Sequence, residues 1–350
     1  MTDKHIIHIT ASVTDALAKL NALSGGVMTL VVEDGRGRVA GTVTDGDIRR
    51  ALIAGRSLDD DVTAVMNRSF RSLRPGATPQ EIALIRAAGI KLLPEVDNDG
   101  RLTGLFDFTA CTNRLPVSAL LMAGGKGERL RPLTLHTPKP LLPVGGRPII
   151  DHNIERLARA GITDITVSVR YMADQIKGHF AKPCHGINVK TIQESEPLGT
   201  IGAASLMKRN PDGCTLVMNS DLLTDLPLEE FYFRHTAEEA DVTIAAIPYT
   251  VSVPYAVLDI ADDSGRVAGM AEKPVYSYFA NAGIYLFANR VLDTLARGEH
   301  KDAPDLIAEV IDNGGKVVYH PINGTWIDIG TPADYRHACE MMNFHRLAAL

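Results

Sequence analysis

Cysteine is scarce in this sequence of 350 residues. The four cysteines are far apart and form no C-x-x-C pair: Cys111, Cys184, Cys214 and Cys339. Their spacing indicates neither a zinc ribbon nor a disulfide framework, and it favours a reducing, cytoplasmic location. The N-terminus lacks the apolar segment of a signal peptide, and no apolar run is long enough to cross a bilayer. We therefore expect a cytoplasmic protein without membrane association.

An excess of basic charge is also absent. The net charge is −6, so we expect no non-specific binding to nucleic acid. Residues 1–115 contain equal numbers of basic and acidic residues, so the whole excess of acidic charge lies in the remainder. An acidic domain that binds a polyanion must gather its cations in one place or recruit metal ions. The length of the chain predicts two domains.

A weak internal repeat occupies the first part of the chain, residues 1–115. One copy contains VTDALAKLNALSGGVMTLVVEDGRGRVAGTVTDGDIRRAL, and the other contains TPQEIALIRAAGIKLLPEVDNDGRLTGLFDF. Each copy predicts a helix, an apolar strand, an Asp-Gly turn and a second strand that ends at Gly41 or Gly104. The basic stretch MNRSFRSLRPG between the copies is typical of a linker. The pattern predicts an α+β module.

This repeat resembles a tandem pair of cystathionine-β-synthase (CBS) domains. The stretch GTVTDGDIRRAL matches the family's Gly-x-x-Thr-x-x-Asp run. The resemblance implies that Thr44 and Asp47 bind the ribose hydroxyls of a regulatory nucleotide, since a carboxylate accepts both hydroxyl protons. The second copy has Asp107 and Ala110 at the matching offsets, so at most one site is expected. The alternative to nucleotide binding is a purely structural module that mediates dimerisation. The resemblance to CBS pairs also implies a homo-oligomer.

The second part, residues 117–350, alternates between strand and helix patterns. The apolar run VSALLMA follows Pro116 and is typical of a central parallel strand. Further segments then alternate: DHNIERLARAG (helix), ITDITVSV (strand), INVKTIQE (strand), GTIGAASLMK (helix) and CTLVMNSD (strand). The alternation predicts an α/β fold with a doubly wound, mostly parallel, Rossmann-like sheet. Ligands bind at the carboxyl ends of such strands, which directs attention to AGGKGERLR, QESEPLGT and NSD.

The first of these loops, in MAGGKGERLRPLT, combines three glycines with basic residues directly after an apolar run. The loop fails the Walker pattern, because Lys126 precedes Gly127 and no Ser or Thr follows. It fails the dinucleotide pattern because Leu130 stands where the third glycine is required. An ordinary strand-to-helix turn would explain the glycines but not the cations Lys126, Arg129 and Lys139. Glycine backbone and cations together favour phosphate binding.

The loop and the segments after it resemble the sugar-1-phosphate nucleotidyltransferases, also called nucleoside-diphosphate-sugar pyrophosphorylases. From Val117 onward the family landmarks occur in order: TPKPLLPVGGRPII, QESEPLGTIGA, VMNSDLL, AEKP, NAGIYLF and WIDIGTPADY. The resemblance implies a transferase that converts an NTP and a sugar 1-phosphate to an NDP-sugar and pyrophosphate. The attacking phosphate is already ionised near pH 7, so the reaction requires no general base.

The resemblance also assigns roles to individual residues. The implied catalytic cations are Arg129, Lys139 and Lys273. The other implied contacts are to the nucleotide (Gly124, Gly125, Gly127, Gln193, Glu196 and Gly199), the sugar (Glu272, Asn281 and Gly283) and Mg²⁺ (Asp221 and Asp328). Two positions depart from the family pattern, Glu128 in place of Thr or Ser and Ser220 in place of Gly. A carboxylate beside a triphosphate is unfavourable, so we expect Glu128 to point away or to help bind the metal.

The choice of nucleobase rests on the QESEPLGT loop. Glu194 and Glu196 favour guanine, because a carboxylate accepts from both donors on the Watson–Crick edge of guanine. The amide of Gln193 suits uracil or thymine instead. The resemblance also favours GTP and a hexose or aminohexose 1-phosphate, with dTTP, UTP and CTP as alternatives. A nucleotide sensor with an inactive transferase fold is the competing hypothesis, although none of the five charged site residues is missing.

Overall fold

The computed structural model describes residues 3–261 and 265–348, with side chains through residue 342. The chain divides into two compact units. The first comprises Met1–Leu115 with Arg159–Gly161, and the second comprises Pro116–Ala158 with Ile162–Leu350. In the part of the chain that the structure describes, no helix has the length and apolar character needed to span a membrane.

The N-terminal unit contains two small sheets and three helices among its described residues. Its strands are β1 (Ile6–His8), β2 (Thr29–Glu33), β3 (Val39–Thr44), β4 (Leu92–Val96) and β5 (Leu102–Asp107). Its helices are α1 (Val13–Ala22), α2 (Asp45–Ile53) and α3 (Pro79–Ala87). Each helix begins with a capping box, in which a Ser or Thr and an acidic residue three positions later satisfy each other's backbone N–H groups.

The hairpins β2–β3 and β4–β5 confirm the repeat. Both are antiparallel, and each has a register irregularity near the end of its first strand. The predicted ends of the second strands were wrong, because β3 and β5 each continue three residues beyond Gly41 and Gly104. Gly41 is required for another reason: a Cβ there would lie 2.9 Å from the carbonyl oxygen of Asn67. Each repeat packs around its own apolar core.

The C-terminal unit contains the large sheet. Its strands are β6 (Val117–Ala123), β7 (Pro143–Val144), β8 (Arg147–Pro148), β9 (Asp164–Val169), β10 (Lys190–Gln193), β11 (Cys214–Asn219), β12 (Leu222–Thr224), β13 (Val242–Ser252), β14 (Val257–Ile260), β15 (Val267–Ala271), β16 (Val275–Ala288), β17 (Val317–Pro321) and β18 (Trp326–Asp328). Its helices are α4 (Ile149–Arg159), α5 (Ala173–His179), α6 (Leu228–Ala237), α7 (Asn289–Leu292), α8 (Ala303–Asp312) and α9 (Pro332–Ala348).

The seven-stranded sheet has the order β10-β9-β6-β11-β16-β13-β17. The pairs β10/β9, β9/β6, β6/β11 and β13/β17 are parallel, and β16 is antiparallel to both of its neighbours. The predicted mostly parallel α/β sheet is therefore confirmed. The predicted run VSALLMA forms β6 in the interior of this sheet, and its alternate residues Ala119 and Leu121 are fully buried.

One predicted helix is wrong. The segment GTIGAASLMK forms only a short 3₁₀ turn, Gly202–Leu206. The N–H groups of Ile201 and Gly202 donate to the carbonyl oxygen of Lys301, at 3.1 and 3.2 Å, and not to carbonyls of a helix. A Cβ at Gly199 would lie 2.4 Å from that same oxygen, and one at Gly202 would lie 2.5 Å from the carbonyl oxygen of Glu299. Both glycines are therefore required by close approach of another chain segment, which sequence periodicity does not report.

Candidate active site

A cleft of about 660 Å³ opens at the carboxyl ends of four neighbouring parallel strands. Gly124 follows β6, Arg170 follows β9, Glu194 follows β10 and Asp221 lies two residues beyond β11, and all four line the cleft. Crevices at this edge of an open α/β sheet are where ligands bind. The sheet therefore assembles the three loops that the sequence analysis selected.

The glycine loop forms one wall of the cleft. Gly127 has a φ of +62°, and a Cβ there would lie 3.0 Å from Cγ2 of Thr134 and 3.2 Å from Cβ of Lys139. A side chain at this position would therefore be strained in conformation and crowded by its neighbours. At Gly125, by contrast, a Cβ would meet no described atom within 4 Å. The loop thus combines a fixed bend with open space for a ligand.

Two aspartates lie side by side, Asp221 in the lining of the cleft and Asp328 next to it. The short ladder between β12 and β18 pairs Leu222 with Asp328, and the N–H of Ile329 donates to the carbonyl oxygen of Asp221 at 3.2 Å. The Lys139 ammonium hydrogen-bonds to Asp221 and lies 3.9 Å from Oδ1 of Asp328. Backbone pairing thus brings together two residues that are more than one hundred positions apart in sequence.

The two neighbouring carboxylates of Asp221 and Asp328 favour a bound cation. Burial and the neighbouring charge of Asp221 raise the pKa of Asp328, and Lys139 and Arg129 partly offset that rise. Oδ1 of Asp221 is buried and has no hydrogen-bond partner among the described residues. An unpaired carboxylate oxygen next to a second carboxylate fits a divalent cation with hard, oxygen-preferring character such as Mg²⁺. The residues present therefore suit the metal that the family resemblance implies.

Arg129 completes the charged group of the cleft. Its guanidinium packs against Gly330, where a Cβ would lie 3.4 Å from Nη2. Its charge opposes the rise in the pKa of Asp328, which places it near that carboxylate. Glu128, the unusual residue of the loop, faces two other cations: its Oε1 lies 3.8 Å from both Lys126 Nζ and Arg131 Nη2. Arg129 is therefore the loop arginine next to the aspartates.

A buried amide that the sequence analysis missed supports Asp221. Asn153 of α4 donates from Nδ2 to the carbonyl oxygens of Ser220, at 3.3 Å, and Leu222, at 3.0 Å, on both sides of Asp221. Ser220 in turn donates from Oγ to the carbonyl oxygen of Met122 at 2.6 Å. The signal was present in the sequence, because Asn153 lies on the apolar face of α4 with Ile150. A buried amide requires partners.

The loop after β10 is held by Glu194, which is buried. Its carboxylate accepts hydrogen bonds from Oγ of Ser168 and from the N–H of Leu198, the latter at 3.1 Å. Gly199 lines the cleft from the same loop. Gln193 and Glu196 are exposed and lie outside the described lining, and the amide oxygen of Gln193 accepts from Nζ of Lys177. The structure therefore brings Glu194 and Gly199 to the cleft.

The residues predicted for the sugar lie in two places. Glu272 and Lys273 are exposed in the turn between β15 and β16 and are outside the described lining of the cleft. Gly283 of β16 adjoins the cleft, because a Cβ there would lie 2.7 Å from Nδ2 of Asn219. Asn281 donates from Nδ2 to the hydroxyl of Tyr285 at 2.8 Å.

The N-terminal unit has a separate cavity of about 510 Å³, lined by Thr44 and Asp47 among others. Both side chains take part in the cap of α2. The Thr44 hydroxyl donates to Oδ2 of Asp47 at 2.6 Å, and the N–H of Asp47 donates back to Oγ1 of Thr44 at 3.3 Å. Oδ1 of Asp47 accepts from Arg50 at 2.6 Å. The predicted ribose ligands thus also stabilise the start of a helix.

Models of known families match both parts of the chain. The family model described as nucleotidyl transferase matches residues 118–343, and the CBS domain model matches residues 1–54. The chain therefore belongs to the nucleotidyl transferase family and has a CBS domain at its N-terminus. The predicted family and fold are confirmed.

The chain also matches individual relatives, over less than two thirds of their length. The chain is 33% identical over 227 residues to mannose-1-phosphate guanyltransferase beta-B of Xenopus laevis, a match that covers 63% of this chain and 62% of the relative. It is 34% identical over 230 residues to the probable mannose-1-phosphate guanylyltransferase 2 of Arabidopsis thaliana, covering 63% of each. Among solved structures, it is similar to HddC from Yersinia pseudotuberculosis, with a TM-score of 0.50 and 26% identity over 64% of this chain and 99% of that one.

Proposed function

We propose that this protein transfers a guanylyl group from GTP to a hexose or aminohexose 1-phosphate and releases pyrophosphate. The central observation is the group formed by Lys139, Asp221 and Asp328 beside the glycine loop, at the edge of the sheet where ligands bind. The names of the relatives make GTP and mannose 1-phosphate the first pair to test.

In this proposal the substrates supply the nucleophile and the chain supplies alignment and positive charge. An oxygen of the sugar phosphate bonds to the α-phosphorus of the NTP, and the bond from that phosphorus to the pyrophosphate leaving group breaks. The backbone at Gly124 and at the open position Gly125 contacts the phosphates, and the planar fork of Arg129 binds the leaving pyrophosphate. Lys139 moves from the two carboxylates to the phosphate oxygens. These groups stabilise charge that develops during transfer.

Asp221 and Asp328 would hold Mg²⁺ in this proposal. The bound ion would supply Lewis-acid stabilisation of phosphate charge. The chain prepares the two carboxylates independently of the ion. Asn153 fixes the backbone on both sides of Asp221, and the β12–β18 ladder fixes Asp328 beside it. The alternative of a nucleotide sensor is less favoured, because Arg129, Lys139 and Asp221 line the cleft and Asp328 lies beside them.

Recognition of the base and of the sugar requires exposed segments to move closer to the cleft. We assign Gln193 and Glu196 to the nucleobase, with Gly199 beside the ribose. We assign Glu272 and Lys273 to the sugar and its phosphate, with Asn281 and Gly283 in the adjoining wall. The exposed turn that holds Glu272 and Lys273 must close on the cleft for this contact. Lid closure of this kind excludes water from the reaction.

The N-terminal unit is assigned a regulatory role in the same proposal. A nucleotide bound in the cavity beside Thr44 and Asp47 would use Oδ1 of Asp47 in place of Arg50. We also propose that the protein is a homo-oligomer, which light scattering on the purified chain checks directly. We place the activity in the cytoplasm, where thiols stay reduced.

The test measures pyrophosphate release with Mg²⁺ for all pairs of GTP, UTP, dTTP, CTP and ATP with mannose, glucose and glucosamine 1-phosphates. We expect release with GTP and one sugar phosphate. Asp221→Asn should lower kcat by about 10³-fold or more, because the site loses one of its two carboxylates. Chelation of Mg²⁺ should abolish release reversibly. Asp174→Asn, on the exposed face of α5, is the matched control and should retain full activity.

Release with UTP or dTTP in place of GTP would overturn the base assignment and leave the transferase class standing. Binding of GTP without release for any sugar phosphate would favour the sensor.

A further inference from the structure

A second group of chemically active side chains lies in the C-terminal unit, outside the described lining of the cleft. Asp151 is in the first turn of α4, His179 is the last residue of α5, and Cys184 lies in the loop after α5. One carboxylate oxygen, one imidazole nitrogen and the thiol sulfur lie within 4.8 Å of one another. All three residues are half-buried.

The arrangement is not that of a thiol nucleophile activated by histidine. Asp151 lies at the centre: Nε2 of His179 is 2.6 Å from its Oδ1, and the Cys184 thiol donates to the same carboxylate. Burial, followed by the charge of Asp151, raises the pKa of Cys184 to about 12. The thiol therefore stays protonated at neutral pH. A nucleophilic cysteine needs a neighbouring base that takes its proton, whereas here both the imidazole and the thiol contact Asp151.

Oxygen, nitrogen and sulfur donors in one cluster suit a borderline-soft dication. In a tetrahedral zinc site, ligand atoms are separated by roughly 3.5 Å, given metal–ligand distances of about 2.0–2.3 Å. The 2.6 Å separation of His179 and Asp151 would have to open by about 1 Å to admit the ion. Rotation of the side chains of two half-buried residues can supply that change.

The surrounding charges also favour a cation. The charge of Arg147 acts on Cys184, but its Nη1 donates to Oε2 of Glu155 at 2.9 Å. Its Nη2 also contacts Nδ1 of His152 at 3.1 Å. The guanidinium and Glu155 thus compensate each other. What remains is the carboxylate of Asp151 and a thiolate once the Cys184 proton leaves, a net charge that balances a dication.

We propose that Asp151, His179 and Cys184 form a binding site for a transition-metal dication, with Zn²⁺ as the ion that the donor set fits best. Three protein ligands leave a fourth position for water. Binding forms bonds from the carboxylate, the imidazole nitrogen and the thiolate, and it releases the thiol proton to solvent. Affinity should therefore rise with pH. Because α4 also carries Asn153, the ion would brace the helix that positions Asp221.

The test is a Co²⁺ titration of the metal-free full-length protein in the presence of excess Mg²⁺, which fills the carboxylate site of the cleft. Thiolate coordination to Co²⁺ produces a near-ultraviolet charge-transfer band, and oxygen ligands do not. We expect the band to saturate at one equivalent per chain, to grow between pH 6.5 and pH 8, and to disappear when Zn²⁺ is added. The readout requires no enzymatic turnover, so it is independent of the proposed function.

Two cysteine variants locate the site. Cys184→Ser should abolish the band, and Cys339→Ser, which removes another half-buried thiol, should leave it intact. His179→Ala should weaken Co²⁺ binding by about 10-fold or more. Absence of the band in the wild-type protein would reduce the cluster to a hydrogen-bonded group and overturn the proposal. An equal band in folded Cys184→Ser, with folding checked by circular dichroism, would overturn it as well.

Discussion

At the scale of single residues, Lys139 occupies the position between two carboxylates that a metal ion would share. It bonds to Asp221, lies 3.9 Å from Oδ1 of Asp328 and is itself largely buried. A buried ammonium is stable there because two negative groups compensate its charge. In the proposed substrate complex the same ammonium would bind phosphate oxygens. One side chain can therefore stabilise both the free site and the reacting one.

Replacement of this ammonium tests that dual role. We expect Lys139→Met to lower kcat by about 10²–10³-fold, as loss of one charge-stabilising donor does elsewhere. The same variant should need less Mg²⁺ for half-maximal rate, because no ammonium competes for Asp221 and Asp328. Initial rates measured against Mg²⁺ concentration give both quantities. Lys208→Met, at an exposed position, is the control and should change neither. An increased Mg²⁺ requirement would contradict the competition argument.

Where a motif directly follows an apolar run, the sequence was enough to predict that its residues lie at the cleft. Gly124, Gly125 and Asp221 fall into this group, because the ends of parallel strands meet at one edge of the sheet. Asn153 and Glu194 could not be assigned their roles in the same way. Their partners lie between 4 and 69 positions away and depend on how helix, strand and loop pack together. A buried polar residue reports that a partner exists, but not which one.

At the scale of elements, the two glutamates in the loop between β10 and Gly199 have different environments. Glu194 is 5% exposed and ties the loop to β9 through Ser168, whereas Glu196 is exposed. A residue that shapes the loop should affect every NTP alike. A residue that reads the base should change the preference among NTPs. The two carboxylates can therefore be distinguished by measurement.

We expect Glu194→Ala to weaken binding of GTP and of the competitor UTP alike, by about 10-fold or more, because the loop loses two hydrogen bonds to a buried acceptor. Glu194→Gln should stay near wild type, since its amide oxygen accepts from Leu198 and its NH₂ donates to Ser168. Glu196→Ala should raise KM for GTP and leave the inhibition constant of UTP unchanged. KM for GTP and the inhibition constant of UTP in the three variants decide the point. Selective loss of GTP in Glu194→Gln would assign base reading to the buried residue instead.

In the N-terminal unit, a structural role and a ligand-binding role can likewise be tested separately, at the cap of α2. Thr44 caps the helix and lines the cavity, whereas Ser12 caps α1 with the same capping box and lies outside the described cavity lining. Either Thr44→Ala or Ser12→Ala should lower the free energy of unfolding by about 1 kcal/mol. Only Thr44→Ala should weaken binding of AMP, ATP or GTP to this unit. Denaturant unfolding and calorimetric titration separate the two effects, because nucleotide binding to the cleft is common to both variants and cancels in their comparison.

Equal nucleotide binding by Thr44→Ala and Ser12→Ala would show that the cavity makes no use of the Thr44 hydroxyl. The CBS module would then be a structural or dimerising element.

At the scale of the whole molecule, the distribution of charge fits the proposed binding of a polyanion to an acidic unit. All of the net charge of −6 belongs to residues after position 115. Four basic residues nevertheless line the cleft: Lys126, Arg129, Lys139 and Arg170. Concentrated positive charge at one edge of the sheet attracts phosphates, while the acidic remainder disfavours non-specific anions. The charge balance of the sequence predicted that basic residues would be concentrated in one place. It did not predict the cluster of Asp151, His179 and Cys184, because these residues become neighbours only through the packing of α4, α5 and the loop after α5.

We expect the acid stability of the C-terminal unit to depend on a buried histidine. His235 of α6 hydrogen-bonds through Nδ1 to Oγ1 of Thr243 at 2.9 Å, and burial lowers its pKa from 6.5 to about 4. The unfolded chain takes up a proton near pH 6.5 and the folded one only near pH 4. Between these values the unfolded state binds more protons, so stability falls as pH falls. The loss should approach about 3 kcal/mol by pH 4.

His235→Gln tests this argument, because an amide keeps a hydrogen bond to Thr243 and cannot titrate. The variant should be less stable than wild type at pH 8, where the imidazole packs without cost. Its free energy of unfolding should then decline less steeply between pH 6.5 and pH 4.5 in denaturant titrations. His300→Gln, at an exposed position, should reproduce the wild-type slope. Parallel slopes for His235→Gln and wild type would mean that other groups, such as His320, whose pKa is also lowered by burial, govern the acid transition.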